Sequence, residues 1–85
     1  MKPGVCEKIA STSVEAMTEA RRAAELFKPF NSAHEGYAVL LEEVDELWEE
    51  VRKNPKTRSK KRMREEAIQV AAMGIRFAVD VCDVV

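Results

Sequence analysis

Proline falls at only two interior points of this 85-residue chain. These points are Pro29 and the pair Asn54-Pro55. A helix is expected to end at each of them, because proline lacks a backbone donor and disfavours helix in the residue before it. The segments between them are rich in Ala, Glu, Leu, Lys, Arg and Met, which are good helix formers. None of these segments alternates polar and apolar residues as a strand does. The sequence therefore predicts an all-α chain of three helices.

The first helix has two possible starts. Residues 12–15 read Thr-Ser-Val-Glu, which has the form of a capping box and predicts a helix from about residue 13 to 28. Residues 3–11 then form either a separate helical turn or an earlier start of the same helix.

The other two helices are marked more clearly. Residues 32–35 read Ser-Ala-His-Glu, a second capping box, and Phe30 just before it is expected to act as a hydrophobic staple. The third helix is expected to begin between Pro55 and Lys60 and to continue to about Asp83. Together the sequence predicts two long antiparallel helices and an N-terminal helix.

The second helix carries one apolar stripe about 120° wide, which is typical of a face that packs on a core. Its members are Tyr37, Leu40, Leu41, Val44, Leu47, Trp48 and Val51. We expect Trp48 and Phe77 to be core residues. The second half of the third helix is apolar on most sides, which predicts a central or interface position. Because a chain this short buries only about 60–65% of its surface, we expect a homo-oligomeric bundle, a dimer or a tetramer.

Composition excludes several classes of protein. The formal net charge is −1 and aromatic residues make up 6% of the chain, so a nucleic-acid binder is disfavoured. The apolar C-terminal stretch, residues 67–85, is interrupted by four polar or charged residues and does not predict a membrane span. The only cysteines, Cys6 and Cys82, lie too far apart for metal-ligand spacing. We expect a single cytoplasmic domain over residues 1–85.

Charge is segregated along the chain. Residues 31–50 contain seven acids and no Lys or Arg, whereas residues 51–64 contain eight bases and no acid. On a helix the acids form two rows, because residues three or four apart share a face. The rows are Glu42, Asp45 and Glu49, and Glu43, Glu46 and Glu50. Such rows are either an ordinary solvated face or oxygen ligands for a cation such as Mg²⁺.

A polar line also runs along the apolar third helix, through Glu66, Gln69, Arg76 and Asp80. Buried polar groups are costly unless they are paired or coordinated. Packing the second helix on the third is expected to bring Glu43 and Glu46 opposite Glu66 and Gln69. The alternative is that Arg76 pairs with Asp80 four residues on, and that Glu66 is a surface residue.

Residues 41–47 (Leu-Glu-Glu-Val-Asp-Glu-Leu) and 64–70 (Arg-Glu-Glu-Ala-Ile-Gln-Val) resemble the MazG-like all-α nucleoside triphosphate pyrophosphohydrolases. That superfamily includes the dimeric dUTPases and phosphoribosyl-ATP pyrophosphohydrolases. Its signature is Glu-x-x-Glu on one helix and Glu-x-x-Asp on the next, and the four side chains bind Mg²⁺. The stretch 30–80 is similar to a compact MazG-related subgroup of phage and prokaryotic origin.

The resemblance implies a Mg²⁺-dependent enzyme that cleaves a nucleoside triphosphate to monophosphate and pyrophosphate. Its implied metal ligands are Glu43, Glu46, Glu66 and Gln69, with Gln69 standing where the family has aspartate, so the site loses one negative charge. The attacking nucleophile would be water, and Glu42 or Glu46 would receive its proton.

The basic residues within 51–64, together with Arg76, are expected to bind phosphate. The main candidates are Lys60, Arg64 and Arg76. His34 is the only histidine, which argues against zinc. It is a cap residue by position, and the resemblance allows a nucleobase contact there, together with Asn31 and Tyr37. Two other functions stay open. One is a non-catalytic helical oligomerisation scaffold with the same fold, and the other is a nucleic-acid-associated protein that binds through the lysine and arginine side chains of residues 53–64.

Overall fold

The computed structural model describes residues 2–83, and these residues form helices joined by short connections. They are α1 (Val5–Leu26), α2 (Ala33–Val51) and α3 (Lys60–Phe77), which is followed directly by one π-helical turn (Ala78–Cys82). The part of the chain that is described contains no strand, so the prediction of an all-α chain with three helices is confirmed. None of the helices in this part has the length and apolar character that crossing a membrane requires.

Helix α1 begins earlier than the capping box at residues 12–15 predicts. Gly4 precedes it with φ 84°, a left-handed conformation that glycine adopts without steric cost. The Ser13 hydroxyl donates to the Ile9 carbonyl at 2.8 Å, so it binds the preceding turn of the same helix. The start near residue 13 is therefore wrong, and the earlier start is correct. The helix ends at Leu26 because Phe27 is already extended, two residues before Pro29.

The starts of α2 and α3 match the capping chemistry. Ser32 Oγ accepts a hydrogen bond from the Glu35 backbone N–H at 3.1 Å, as the second capping box predicts. The Glu35 carboxylate returns to Asn31, whose backbone and side-chain N–H groups donate to it at 3.3 and 2.9 Å. Ser59 caps α3 in the same way, accepting from the Arg62 N–H at 3.1 Å. Both helix starts are set by local polar chemistry.

Helix α3 packs against both α1 and α2, which confirms its predicted central position. The core consists of three alanines and one methionine: Ala20 and Ala23 of α1 meet Ala72 and Met73 of α3. Ala72 is completely buried. The small alanine side chains let the helix axes approach closely, and Phe30, Val39 and Leu40 pack around the core.

The apolar stripe of α2 is only partly covered. Leu40 packs on the core, but four members of the stripe are exposed: Tyr37, Leu41, Val44 and Trp48. We call these four residues the outer stripe of α2. The prediction that Trp48 is a core residue is wrong, since 58% of it is exposed. Phe77, by contrast, is half-buried against α2.

Gly36 is the point of closest approach between α2 and the aromatic residues around it. A Cβ added there would lie 2.8 Å from Phe77 Cδ2 and 3.1 Å from Phe30 Cδ2. Overpacking of this kind costs about 1–3 kcal/mol, whereas removing a helical glycine returns about 0.5–1 kcal/mol. We expect Gly36→Ala to lower the free energy of unfolding in urea by about 1–2 kcal/mol.

Gly74 provides the matched control, because an added Cβ there would meet nothing within 4 Å among the described residues. Gly74→Ala is therefore expected to raise the free energy of unfolding by about 0.5–1 kcal/mol. Stabilisation by both substitutions would contradict the close packing at Gly36.

Candidate metal centre

Three carboxylates from two helices meet in one cluster. Glu43 and Glu46 lie one turn apart on α2, and Glu66 lies on α3. Each offers an oxygen, and the three oxygens all lie within 4.8 Å of one another. Glu43 and Glu66 are half-buried, and Glu46 is exposed. The structure thus brings together three of the four residues that the sequence predicts as metal ligands, and we call these three the carboxylate cluster.

The cluster is electrostatically unfavourable without a counter-charge. Burial raises the pKa of Glu43 to about 7, and the Glu46, Glu66 and Glu42 carboxylates add to the shift. The pKa of Glu66 is also raised, first by burial and then by the charge of Glu46. Both effects disfavour the ionised form. A positive ion between these side chains would favour the ionised forms and so lower the pKa values of Glu43 and Glu66.

Two oxygens of the cluster also lack a hydrogen-bond partner. Glu43 Oε2 and Glu66 Oε2 are shielded from solvent, and neither accepts a hydrogen bond within residues 2–83. An unsatisfied buried acceptor costs about 1–3 kcal/mol. Hard oxygen ligands at this spacing suit a divalent cation such as Mg²⁺, which is commonly held by one or two carboxylates and completes its shell with water. The residues present therefore fit the cation that the resemblance implies.

Glu50 extends the cluster beyond the residues that sequence reasoning selected. Its Oε1 is shielded from solvent and has no partner within the described residues, while its other oxygen accepts from Lys53 Nζ at 2.9 Å. The charge of Glu50 contributes to the raised pKa of Glu66. The signal was present in the sequence, because Glu50 follows Glu43 by seven residues in the same row.

Gln69, the fourth predicted ligand, is engaged by α1. It is half-buried and lines a cavity together with Glu43. The pKa of Glu19 is lowered chiefly by its hydrogen bonds from Arg22, and a hydrogen bond with the Gln69 side chain lowers it further. Whether Gln69 also ligates a cation stays a prediction.

Arg64 points toward α1. Its NH1 donates to Glu15 Oε1 at 2.9 Å, and its NH2 donates to the other oxygen of the same carboxylate. The Arg64 guanidinium holds the pKa of Glu15 below its ordinary value, and both side chains are about half exposed. Lys60, the first residue of α3, is exposed. The predicted phosphate contacts of Arg64 and Lys60 are untested predictions, and for Arg64 they would compete with this ion pair.

Arg76 is buried and already has several partners. Its NH2 donates to the Lys28 carbonyl at 3.1 Å and to Asp80 Oδ2 at 3.5 Å. The guanidinium carbon lies 4.4 Å from the centroid of the Phe30 ring. The pairing of Arg76 with Asp80, which the sequence left as an alternative, is therefore present. Arg76 also lines the cavity that Gln69 and Glu43 share.

The remaining predicted residues lie outside the carboxylate cluster. His34 and Tyr37 are exposed and share a shallow pocket with Phe77. Asn31 is occupied by the Glu35 carboxylate. Glu42 is exposed, and its charge contributes to the raised pKa of Glu43.

The raised pKa of Glu43 predicts how stability depends on pH. Its pKa is about 7 in the folded protein against an ordinary value of 4.5, so the folded state binds more protons than the unfolded state between these values. The free energy of unfolding is then expected to fall as pH rises through this window when no divalent cation is present. Thermal melting in chelator at pH 4.5–8 measures this, and Glu43→Gln should flatten the decline. An equally steep decline in the variant would place its origin elsewhere.

The resemblance to the MazG-like family stays a prediction from the sequence motifs. No known protein family, curated protein or solved structure matches this chain.

Proposed function

We propose that this chain is a Mg²⁺-dependent nucleotide pyrophosphohydrolase, which converts a nucleoside triphosphate to the monophosphate and pyrophosphate. The observation that supports the proposal is the carboxylate cluster: three acids from two helices lie within 4.8 Å of one another. Like charges held this closely are costly in a purely structural role. Glu43 Oε2 and Glu66 Oε2, which are shielded from solvent and have no hydrogen-bond partner within residues 2–83, support the same proposal.

In the proposed reaction, water attacks the α-phosphorus and the bond to the β-phosphate oxygen breaks. Glu43, Glu46 and Glu66 would hold the cation, and Mg²⁺ bound there would neutralise the phosphate oxygens and orient the water. Glu42 is exposed, and its charge acts on Glu43 of the cluster, which supports it as the group that would receive the proton of the water. Lys60, the exposed first residue of α3, is our candidate for holding the leaving pyrophosphate.

The proposal includes a cytoplasmic homo-oligomer, a dimer or a tetramer, in which long helices pack antiparallel. The outer stripe of α2 supports it, since Tyr37, Leu41, Val44 and Trp48 are each at least 41% exposed. Their spacing of four, three and four residues is that of a seam between two helices. Helix α3 packs against both α1 and α2, and of its large apolar residues only Ile75 is as exposed as the outer stripe, at 41% among the described residues. We therefore place the interface on α2 and not, as the sequence suggests, on α3.

The same outer stripe favours a second candidate function, a non-catalytic oligomerisation scaffold. Four large apolar side chains in one exposed row indicate a partner surface whether or not the carboxylate cluster binds a cation. A scaffold would remain folded and oligomeric with no response to Mg²⁺. An enzyme would respond to Mg²⁺ through the carboxylate cluster.

Pyrophosphate release from a panel of nucleoside triphosphates distinguishes the two. We expect the wild-type chain to release pyrophosphate in the presence of Mg²⁺. In Glu66→Gln the rate should fall by about a hundredfold or more, because the variant removes one of the three negatively charged side chains that would bind the cation. Glu49→Gln is the matched control, since Glu49 is exposed in the other row of α2 and pairs with Arg52 at the surface. Unchanged release by Glu66→Gln would refute the proposed mechanism, and an absence of release with every triphosphate would favour the scaffold.

A further inference from the structure

A cavity of about 410 Å³ opens between the helices next to the carboxylate cluster. Glu43 belongs to both, because it lines the cavity and its carboxylate is part of the cluster. A ligand in this cavity would therefore have one end beside the carboxylates. The volume lies within the range of about 300–1,000 Å³ that small-molecule sites occupy.

The cavity has two aromatic walls of different character. Phe30 is fixed, because its backbone N–H donates to Asp80 Oδ2 at 3.3 Å and the Arg76 guanidinium lies 4.4 Å from its ring centroid. Phe27 lies just beyond the end of α1 and is 62% exposed. An exposed aromatic ring at the rim of a cavity offers a face on which a planar ligand can stack.

The polar groups of the cavity are held in place by neighbours in the chain. The Arg22 guanidinium donates to both oxygens of Glu19, with its Nε at 3.0 Å from Oε2. The Gln69 side chain acts on the same carboxylate, since it helps to lower the pKa of Glu19. An amide and a carboxylate fixed in this way present a hydrogen-bonding edge beside the aromatic rings. Polar groups that are ordered in advance bind at a lower entropic cost.

We propose that this cavity is the subsite for the heterocyclic base of the nucleotide, with Phe27 stacking on the ring and Gln69 binding its polar edge. This inference rests on the proposed function, because phosphates at the neighbouring carboxylate cluster are what identify the ligand of this cavity as a nucleotide. A nucleobase has the required chemistry, namely two π faces and an edge of donors and acceptors. The assignment differs from the sequence-based expectation for His34, Asn31 and Tyr37, none of which lines this cavity.

Binding of two probes in the presence of Mg²⁺ tests the subsite. The first probe is a non-hydrolysable α,β-methylene nucleoside triphosphate, and the second is inorganic tripolyphosphate, which has no base. Phe27→Ala is expected to weaken binding of the nucleotide roughly tenfold and to leave tripolyphosphate binding unchanged. Leu26→Ala is the matched control, because Leu26 is equally exposed, at 61%, and does not line the cavity. Equal nucleotide affinity of Phe27→Ala and the wild type would overturn the proposal.

A second measurement separates failure of the subsite from failure of the proposed function. Free nucleosides at millimolar concentration, without Mg²⁺, are titrated into the labelled chain and followed by NMR. Shifts at Phe27 and the Gln69 side-chain amide support the subsite even if tripolyphosphate and Mg²⁺ do not bind. Shifts at His34 and Tyr37 instead, or no shifts with any nucleoside, overturn it.

Discussion

Asp80→Asn is expected to lower the free energy of unfolding by about 3 kcal/mol, a large share of the stability of so small a domain. The Asp80 carboxylate accepts from Arg76 NH2 at 3.5 Å and from the Phe30 backbone N–H at 3.3 Å. The Arg76 side chain is only 6% exposed. Substitution by the neutral amide therefore leaves a buried guanidinium without its counter-charge. This costs far more free energy than the loss of an ion pair at the surface.

The exposed pair of Arg64 and Glu15 provides the control for this prediction. Both of its side chains are about half exposed, so Glu15→Gln is expected to cost less than about 1 kcal/mol in spite of the two-pronged geometry. The double variant Asp80→Asn, Arg76→Met is expected to recover part of the loss, because it removes the buried charge itself. Urea unfolding of the three variants measures these differences. Similar losses at Asp80 and Glu15 would show that burial does not set the strength of the Arg76 pair.

The starts of α2 and α3 were predictable because their chemistry is local. Ser32 and Ser59 each accept an N–H from three residues ahead, and such caps require only the neighbouring sequence. The box at residues 12–15 failed by the same reasoning, since the pattern acts as a cap only where the preceding residues are not helical. Here the residues before the box are already helical, since α1 begins at Val5. The π-helical turn at Ala78–Cys82 was not predicted, because nothing in the sequence pattern distinguishes it from a continuation of α3.

The candidate site also contains residues that were predictable from local spacing and residues that depend on how the helices pack. The spacing of Glu43 and Glu46 on one helix is a local property and follows from periodicity. Glu66 depends on the register between α2 and α3, for which the sequence offered the polar line of the third helix and then the motifs that resemble the MazG-like family. The engagement of Gln69 by Glu19 depends on how α1 packs, and no spacing within one helix reports that.

The exposed position of Trp48 has a similar cause. Periodicity shows that one side of α2 is apolar, but two neighbouring stripes lie within that side. Leu40 packs on the core, whereas Trp48 lies in the outer stripe of α2 and is exposed. Which stripe a single chain covers is decided by the crossing of the helices, and that is a tertiary property.

Glu43→Gln is expected to change stability in opposite directions with and without Mg²⁺. In chelator at pH 8 the variant should be more stable than the wild type by roughly 1 kcal/mol, because it removes one of three mutually repelling carboxylates. In the wild type, saturation with Mg²⁺ at about 100 times the dissociation constant should add about 2.7 kcal/mol, since the ion binds only the folded state. In a chain of this size that corresponds to a rise in melting temperature of about 10 °C or more.

The variant should lose most of this response, because its cluster keeps only Glu46 and Glu66 as charged ligands. The two melting temperatures then exchange order when Mg²⁺ is added. Glu49→Gln, on the solvent-facing row of the same helix, should behave like the wild type in both conditions. The exchange of order separates a cation site from a strained structural cluster, because relief of repulsion alone would leave Glu43→Gln the more stable protein with and without the ion. That outcome would leave the chain with the fold of the proposed enzyme and no means of binding its metal.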